Sequence, residues 1–101
     1  MKRIRMHAAA RQELFEAADW YDERRPGTGR RLRVEVGEIR ARIASAPEQG
    51  SPHLYGTRRF ILQRFPYSTV YLTLDDYGHI IAVAHQSRKP GYWRKRLKDI
   101  R

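Results

Sequence analysis

The chain has 101 residues, 41% of them hydrophobic, with 21 Lys and Arg against 11 Asp and Glu and a formal net charge of +10. A chain of this length can bury one modest core, and the composition fits a single folded domain over residues 1–101 rather than a disordered chain. No apolar run approaches the roughly 20 residues that span a bilayer, no signal-peptide core opens the sequence, and cysteine is absent, so disulfides, thiolate metal sites and a cysteine nucleophile are excluded and a reducing cytoplasm is the default compartment.

Lys2 to Met6 alternates Arg3 and Arg5 with Ile4 and Met6, which predicts a short strand with one apolar face. From Ala8 to about Arg25 the period changes. Leu14, Ala17, Ala18 and Tyr21 fall at helical spacing, with Glu13, Glu16 and Glu23 on other faces. Pro26-Gly27-Thr28-Gly29 ends this helix, and Thr28 is placed to cap the next. A second helix is expected from about Gly29 to Ala46, its seam running through Leu32, Val36, Ile39, Ile43 and Ala46. So short a connection makes the two helices an antiparallel hairpin. Gly37, inside the second helix, suggests close approach of another backbone.

Pro47 and Gly50 end the second helix, and Ser51 to Thr57 reads as a loop. Strand patterns follow around Phe60 and Leu62, from Thr69 to Leu74 with Val70, Leu72 and Leu74 on one face, and from Ile80 to His85. Phe65-Pro66-Tyr67 and Asp75-Asp76-Tyr77-Gly78 read as the connections, the two aspartates as a solvated turn. Gly91 to Ile100 reads as a basic helix or a loose tail. The fold class is α+β, in the order β-α-α-β-β-β with a last helix optional. The helical hairpin packs on one face of a small, mainly antiparallel sheet and leaves the other face open and Arg-rich.

The charge is concentrated toward the end of the chain. Residues 1–50 carry 11 basic and 8 acidic side chains, whereas residues 51–101 carry 10 and 3. The densest stretch comprises Arg88, Lys89, Arg94, Lys95, Arg96, Lys98 and Arg101. Only Lys2, Lys89, Lys95 and Lys98 are lysines; arginine, which dominates, favours bidentate contacts to phosphate or carboxylate. Such a distribution marks a surface for a large anionic partner.

No Gly-rich phosphate loop, HExxH or GxSxG motif occurs, and His7, His53, His79 and His85 are scattered; neither a metal nor a cofactor is expected. The stretch His85 to Arg96 joins an imidazole, several cations, Tyr92 and Trp93. That mixture suits nucleic-acid or protein binding. It also suits RNA cleavage, with Arg stabilising the pentacoordinate phosphate and His or Tyr moving protons, and it suits aromatics that merely cover the end of the core.

Ala17-Ala18-Asp19-Trp20-Tyr21, Gly27-Thr28-Gly29-Arg30-Arg31-Leu32, Pro47, Arg59, Phe65-Pro66-Tyr67-Ser68-Thr69-Val70-Tyr71 and His85 through Trp93 together resemble the RelE/ParE superfamily. These are the toxins of bacterial type II toxin–antitoxin pairs. The resemblance runs from about Met6 to Arg96, and the order and spacing of the motifs carry it. It implies a growth-inhibiting toxin held by a cognate acidic antitoxin in a hetero-oligomeric complex, with no membrane role and no cofactor.

The superfamily has two branches. In the RelE branch the toxin cleaves messenger RNA on the ribosome; the resemblance would then make Arg59, His85, Arg88 and Tyr92 catalytic. However, the arginine that precedes the "Val-Tyr" strand in that branch is Ser68 here, and one sheet lysine is Ile61. The ParE branch poisons DNA gyrase by binding, and the His85/Arg88 end of the last strand is closer to it. On that reading Arg59, Arg64, His85, Arg88, Tyr92, Trp93, Arg94 and Arg96 are the target or nucleic-acid contacts. A third reading keeps the fold with another target or without toxicity. The antitoxin-binding residues are not assigned by the sequence.

Overall fold

The alternation of Arg3 and Arg5 with Ile4 and Met6 forms β1 (Arg3–Met6), the cations outward and the apolar pair against the core. The computed structural model describes residues 1–100; Arg101, counted above in the basic stretch, lies outside them. Helix α1 (Ala8–Arg24) starts at His7, whose Nδ1 accepts from the Ala9 N–H at 3.0 Å. Helix α2 (Thr28–Ser45) buries Leu32, Val36, Ile39 and Ile43. No helix among the described residues is long and apolar enough to cross a membrane.

The turn between the helices departs from the expected capping. Thr28 is already helical, and the capping position is Gly27, at φ 93° and without a side-chain acceptor. The acceptor comes from α1. Asp22 takes the N–H groups of Gly27 at 3.2 Å and Gly29 at 2.8 Å, satisfying donors that open every helix. A Cβ on Gly29 would lie 2.3 Å from the Ala18 carbonyl oxygen. Gly37 is different: nothing lies within 4 Å of an added Cβ, so no neighbouring backbone explains it.

The sheet has five strands in the order β1-β5-β4-β3-β2, with β2 (Ser51–Pro52), β3 (Arg58–Ile61), β4 (Tyr67–Thr73) and β5 (Tyr77–His85). β1 runs parallel to β5 and the other pairs are antiparallel. Several boundaries differ from the sequence expectation: Tyr67, read as part of a connection, opens β4, and Leu62 and Leu74 fall just outside their strands. Ser51–Pro52, read as loop, adds a short edge strand opposite Arg58 and Arg59. Tyr77 and Gly78, read as turn, belong to β5 because Arg3 and Ile4 pair with them. The turn shrinks to Asp75-Asp76, closed by Leu74 N–H to Tyr77 C=O at 2.9 Å.

The hairpin of α1 and α2 covers one sheet face, where Leu32, Val36, Ile39 and Ile43 meet Phe60, Leu62, Phe65, Tyr71 and Ile80. The opposite face is not open. Val70, Leu72, Ile81 and Ala82 form a second core there with Trp93 and Leu97, and Leu74, Tyr92 and Ile100 pack against it. A register shift at Val70/Tyr71 lets Val70 face Ala82 while Tyr71 faces Ile80. The intervening Ile81 joins Ala82 in the second core. So apolar a face cannot stay in water. The C-terminal segment covers it, through apolar residues spaced four and three apart (Trp93, Leu97, Ile100). It does so as a short 3-10 helix, Arg94–Asp99, rather than an α-helix or a loose tail.

Candidate functional site

The C-terminal half of β5 delivers the chain to the stretch in which the sequence concentrates its cations. β1 ends at Met6, opposite Ile80, so beyond Ile80 the outer edge of β5 has no neighbouring strand. Side chains take its place. Glu13 of α1 accepts from the Val83 N–H at 3.1 Å, and Arg96 donates to the Ile81 carbonyl at 3.1 Å. The same two side chains pair through hydrogen bonds of 2.8 and 2.9 Å, and Tyr92 donates its hydroxyl to Glu13 at 2.5 Å. Glu13 thus joins α1, the β5 edge and the C-terminal segment.

This network determines what Tyr92 and Arg96 can do. Burial, followed by the hydrogen bond to Glu13, drives the Tyr92 hydroxyl well above the ordinary tyrosine range. The Glu13 hydrogen bonds likewise raise Arg96. Tyr92 is a committed donor rather than a proton acceptor, and Arg96 is a neutralised cation rather than a free one.

Arg59, His85, Arg88 and Tyr92 line one cavity of about 260 Å³, together with His53, Leu54, Ser68, Lys89, Pro90 and Trp93. Among the described residues no carboxylate lines it. Arg59 lies on β3 opposite Val70, on the sheet face of the second core. Among the described residues its Nε is buried without a hydrogen-bond partner. Arg88 lies over the Tyr92 ring at 3.8 Å. His85 receives the Ser87 N–H on Nδ1 at 3.0 Å, which leaves Nε2 to carry its proton, and packs edge-on against Tyr67. His53 is held below the usual histidine range by burial and then by the charge of Arg59.

The remaining expected contacts are placed differently. Trp93 is 2% exposed and sits beneath His53 and Tyr55, so it is a core residue and presents no contact surface. Arg94 lies outside the cavity over the Tyr55 ring at 4.6 Å. Arg64 is on the helical side of the molecule, because the N–H groups of Gln63 and Arg64 both bond to the Glu35 carboxylate on α2. There it lines a groove of about 570 Å³ with Arg30, Arg31, Arg42, Val34 and Ile61.

Sequence reading placed Glu13 on a solvent face and missed its role. A signal was present: Glu13 stands three residues after Ala10 and four before Ala17, on the small-residue stripe that α1 buries. Nothing local identified Ile61, which is 56% exposed beside the buried Phe60. Among the described residues no group of three or more His, Asp or Glu is placed to hold a metal ion.

Residues 4–90 match the family model described as the ParE toxin of type II toxin–antitoxin system, parDE. Two curated proteins named Toxin ParE2, from Mycobacterium tuberculosis strains CDC 1551 / Oshkosh and ATCC 25618 / H37Rv, are each 32% identical to the chain over 90 residues. Each match covers 88% of this chain and 86% of the relative. Among solved structures, the chromosomal ParDE TA system from P. aeruginosa superposes with a TM-score of 0.74 at 18% identity, over 84% of this chain and 96% of that one. At that identity the likeness speaks for the fold.

Proposed function

The chain belongs to the ParE toxin family of type II toxin–antitoxin systems, and from that premise we propose that it arrests bacterial growth by binding and poisoning DNA gyrase until an acidic antitoxin neutralises it. The observation that carries the non-enzymatic reading is the state of Tyr92. Its hydroxyl is donated to Glu13 and its pKa is pushed up, so it is unsuited to take a proton from a ribose hydroxyl. Ser68, buried in the cavity wall, stands where the RelE-like branch has its phosphate-stabilising arginine. What remains is a cationic surface able to bind.

The experiment is expression in bacteria with plasmid analysis, followed by purified gyrase, supercoiled plasmid and the toxin. Linearised plasmid, a DNA-damage response and trapped cleavage complexes support the proposal. Growth arrest with intact DNA and unchanged supercoiling overturns it. The ribosome-dependent messenger RNA endonuclease remains the alternative reading, favoured by one observation: Arg59, His85, Arg88 and Tyr92 share a cavity. It requires cut messages in translated frames that disappear with Arg59→Ala and Tyr92→Phe.

The antitoxin fits best along α2. The groove of Arg30, Arg31, Arg42 and Arg64 also presents Val34 and Ile61, both more than half exposed. An acidic amphipathic segment would meet both characters, with charge speeding association and apolar anchors supplying affinity. Co-purification of the toxin with the product of an adjacent reading frame encoding an acidic tail tests this.

A further inference from the structure

We propose that this chain forms a two-fold homodimer through the outer face of its helical hairpin, with α1 of each copy lying on α2 of the other. The two helices carry opposite charge. α1 holds five acidic and two basic side chains, and α2 holds two acidic and five basic. Among the described residues no ion pair joins them: Glu13 is paired with Arg96, and Glu23 with its neighbour Arg24. Each helix also leaves a large apolar side chain in water, Phe15 at 55% exposure on α1 and Val34 at 52% on α2. The single chain thus presents two complementary helix faces and does not use that complementarity itself.

The register of the hairpin is fixed where Gly29 lies against Ala18 and donates its N–H to Asp22. Counting away from that contact at equal rise along the two antiparallel helices, Asp19 stands about level with Arg30, Glu16 with Arg33 and Phe15 with Val34, all of them exposed. A two-fold axis parallel to the helices, between two hairpins laid outer face to outer face, preserves these levels. It sets α1 of one copy antiparallel over α2 of the other. Asp19 and Glu16 then meet Arg30 and Arg33 of the second copy, and Phe15 meets its Val34. The helices match in length at 17 and 18 residues. Gly37, which no packing within the chain explains, is exposed on α2 and lets a second helix approach.

A second copy fits this face better than a uniformly acidic segment. Glu16 and Asp19 repel such a segment. Toward the other end of the hairpin the signs reverse, with Arg11 of α1 about level with Glu38 of α2. A matching partner must therefore carry both signs in the same order, as this chain does. The dimer covers Arg30 and Val34, which also line the α2 groove, so self-association and antitoxin binding exclude each other. That consequence rests on the antitoxin reading; the dimer does not.

Sedimentation velocity of the full chain alone, from about 1 to 200 μM, is the test. The wild-type chain should pass from monomer to dimer within that range, because two apolar anchors per copy support a moderate affinity. Glu16→Arg or Arg33→Glu, each by itself, sets like charges against one another at both symmetry-related contacts and should weaken the dimer about tenfold or more. In an equimolar mixture of the two variants every such contact again joins opposite charges, so the mixture should dimerise about as tightly as the wild-type chain. Mixing cannot rescue a folding defect or an effect confined to one chain. Monomer throughout the range, a dimer indifferent to both substitutions, or a mixture no tighter than its components overturns the proposal and leaves this face to a different protein. The measurement uses neither gyrase nor antitoxin, so the dimer can fail while the toxin reading stands, and the reverse.

Discussion

Glu13 and Arg96, 83 positions apart in the chain, close a bidentate ion pair in which each side chain is less than one-fifth exposed. The pair stands in for a missing strand. Glu13 takes the N–H of Val83 and Arg96 gives a proton to the carbonyl of Ile81, on the length of β5 that β1 does not reach. An unpaired edge here would template aggregation; instead it anchors the C-terminal segment.

Glu13→Gln should therefore destabilise the protein by about 3 kcal/mol, because it leaves Arg96 partly buried without its charge partner. Urea denaturation measures the loss. Adding Arg96→Met to Glu13→Gln should recover part of it, and a double-mutant cycle should give a coupling of about 1–3 kcal/mol. Independent, additive losses would contradict the arrangement.

Trp93→Ala should cost about 3–5 kcal/mol, since it removes the largest side chain of the second core. Thermal unfolding would drop by roughly 15–25 °C in a chain of this size. Emission discriminates the two tryptophans. Trp20, 51% exposed beneath the Arg24 guanidinium, should emit at longer wavelength than Trp93. Trp93→Phe should consequently leave a red-shifted spectrum in a protein that still folds.

Two glycines in the helical hairpin should respond with opposite sign. Gly29→Ala forces a methyl group onto the Ala18 carbonyl and the Asp22 carboxylate, and should cost about 2–3 kcal/mol. Gly37→Ala meets open space in a helix interior and should stabilise by about 0.5–1 kcal/mol. Denaturant midpoints of the two variants decide both.

Stability should fall as the solution is acidified below about pH 6.5, the ordinary histidine value. Burial, then the charges of His7 and Arg5, lower the pKa of His79; burial, then Arg59, lowers that of His53. In each case the folded state disfavours the imidazolium. Their contribution is therefore complete above the unfolded pKa and is lost as pH falls through the window down to the lowered folded value. His79, whose ring nitrogens are both buried and unbonded, should account for much of the slope. His79→Leu should flatten stability against pH just below about 6.5. An unchanged slope would refute this.

The two proposed surfaces should separate in cells. Arg31→Glu with Arg64→Glu, in the α2 groove, should weaken antitoxin binding about tenfold or more, chiefly through a slower association rate, and leave toxicity intact. Arg59→Ala with Arg88→Ala should do the reverse. Growth curves with and without antitoxin, together with association kinetics, measure both effects.

Local pattern determined the elements. The 3.6-residue period of Leu32, Val36, Ile39 and Ile43, the break at Pro26-Gly27, and the apolar runs at residues 70–74 and 80–85 lie within one chain segment each. They lead to the helical hairpin and the main strands directly, and their order carries the family resemblance. Charge composition pointed to the C-terminal stretch for the same reason, since it needs no partner residue to be read. Long-range pairing was not legible. Whether Tyr77 is turn or strand depends on Arg3, and whether Glu13 is solvated depends on Arg96 and Val83. The sheet face expected to be open is closed by Trp93 and Leu97. Only the folded chain decided which cations are free. Arg96 is neutralised by Glu13 and, among the described residues, Arg59 is left with a buried and unbonded Nε, because counter-charges from distant positions are distributed by packing and not by sequence order.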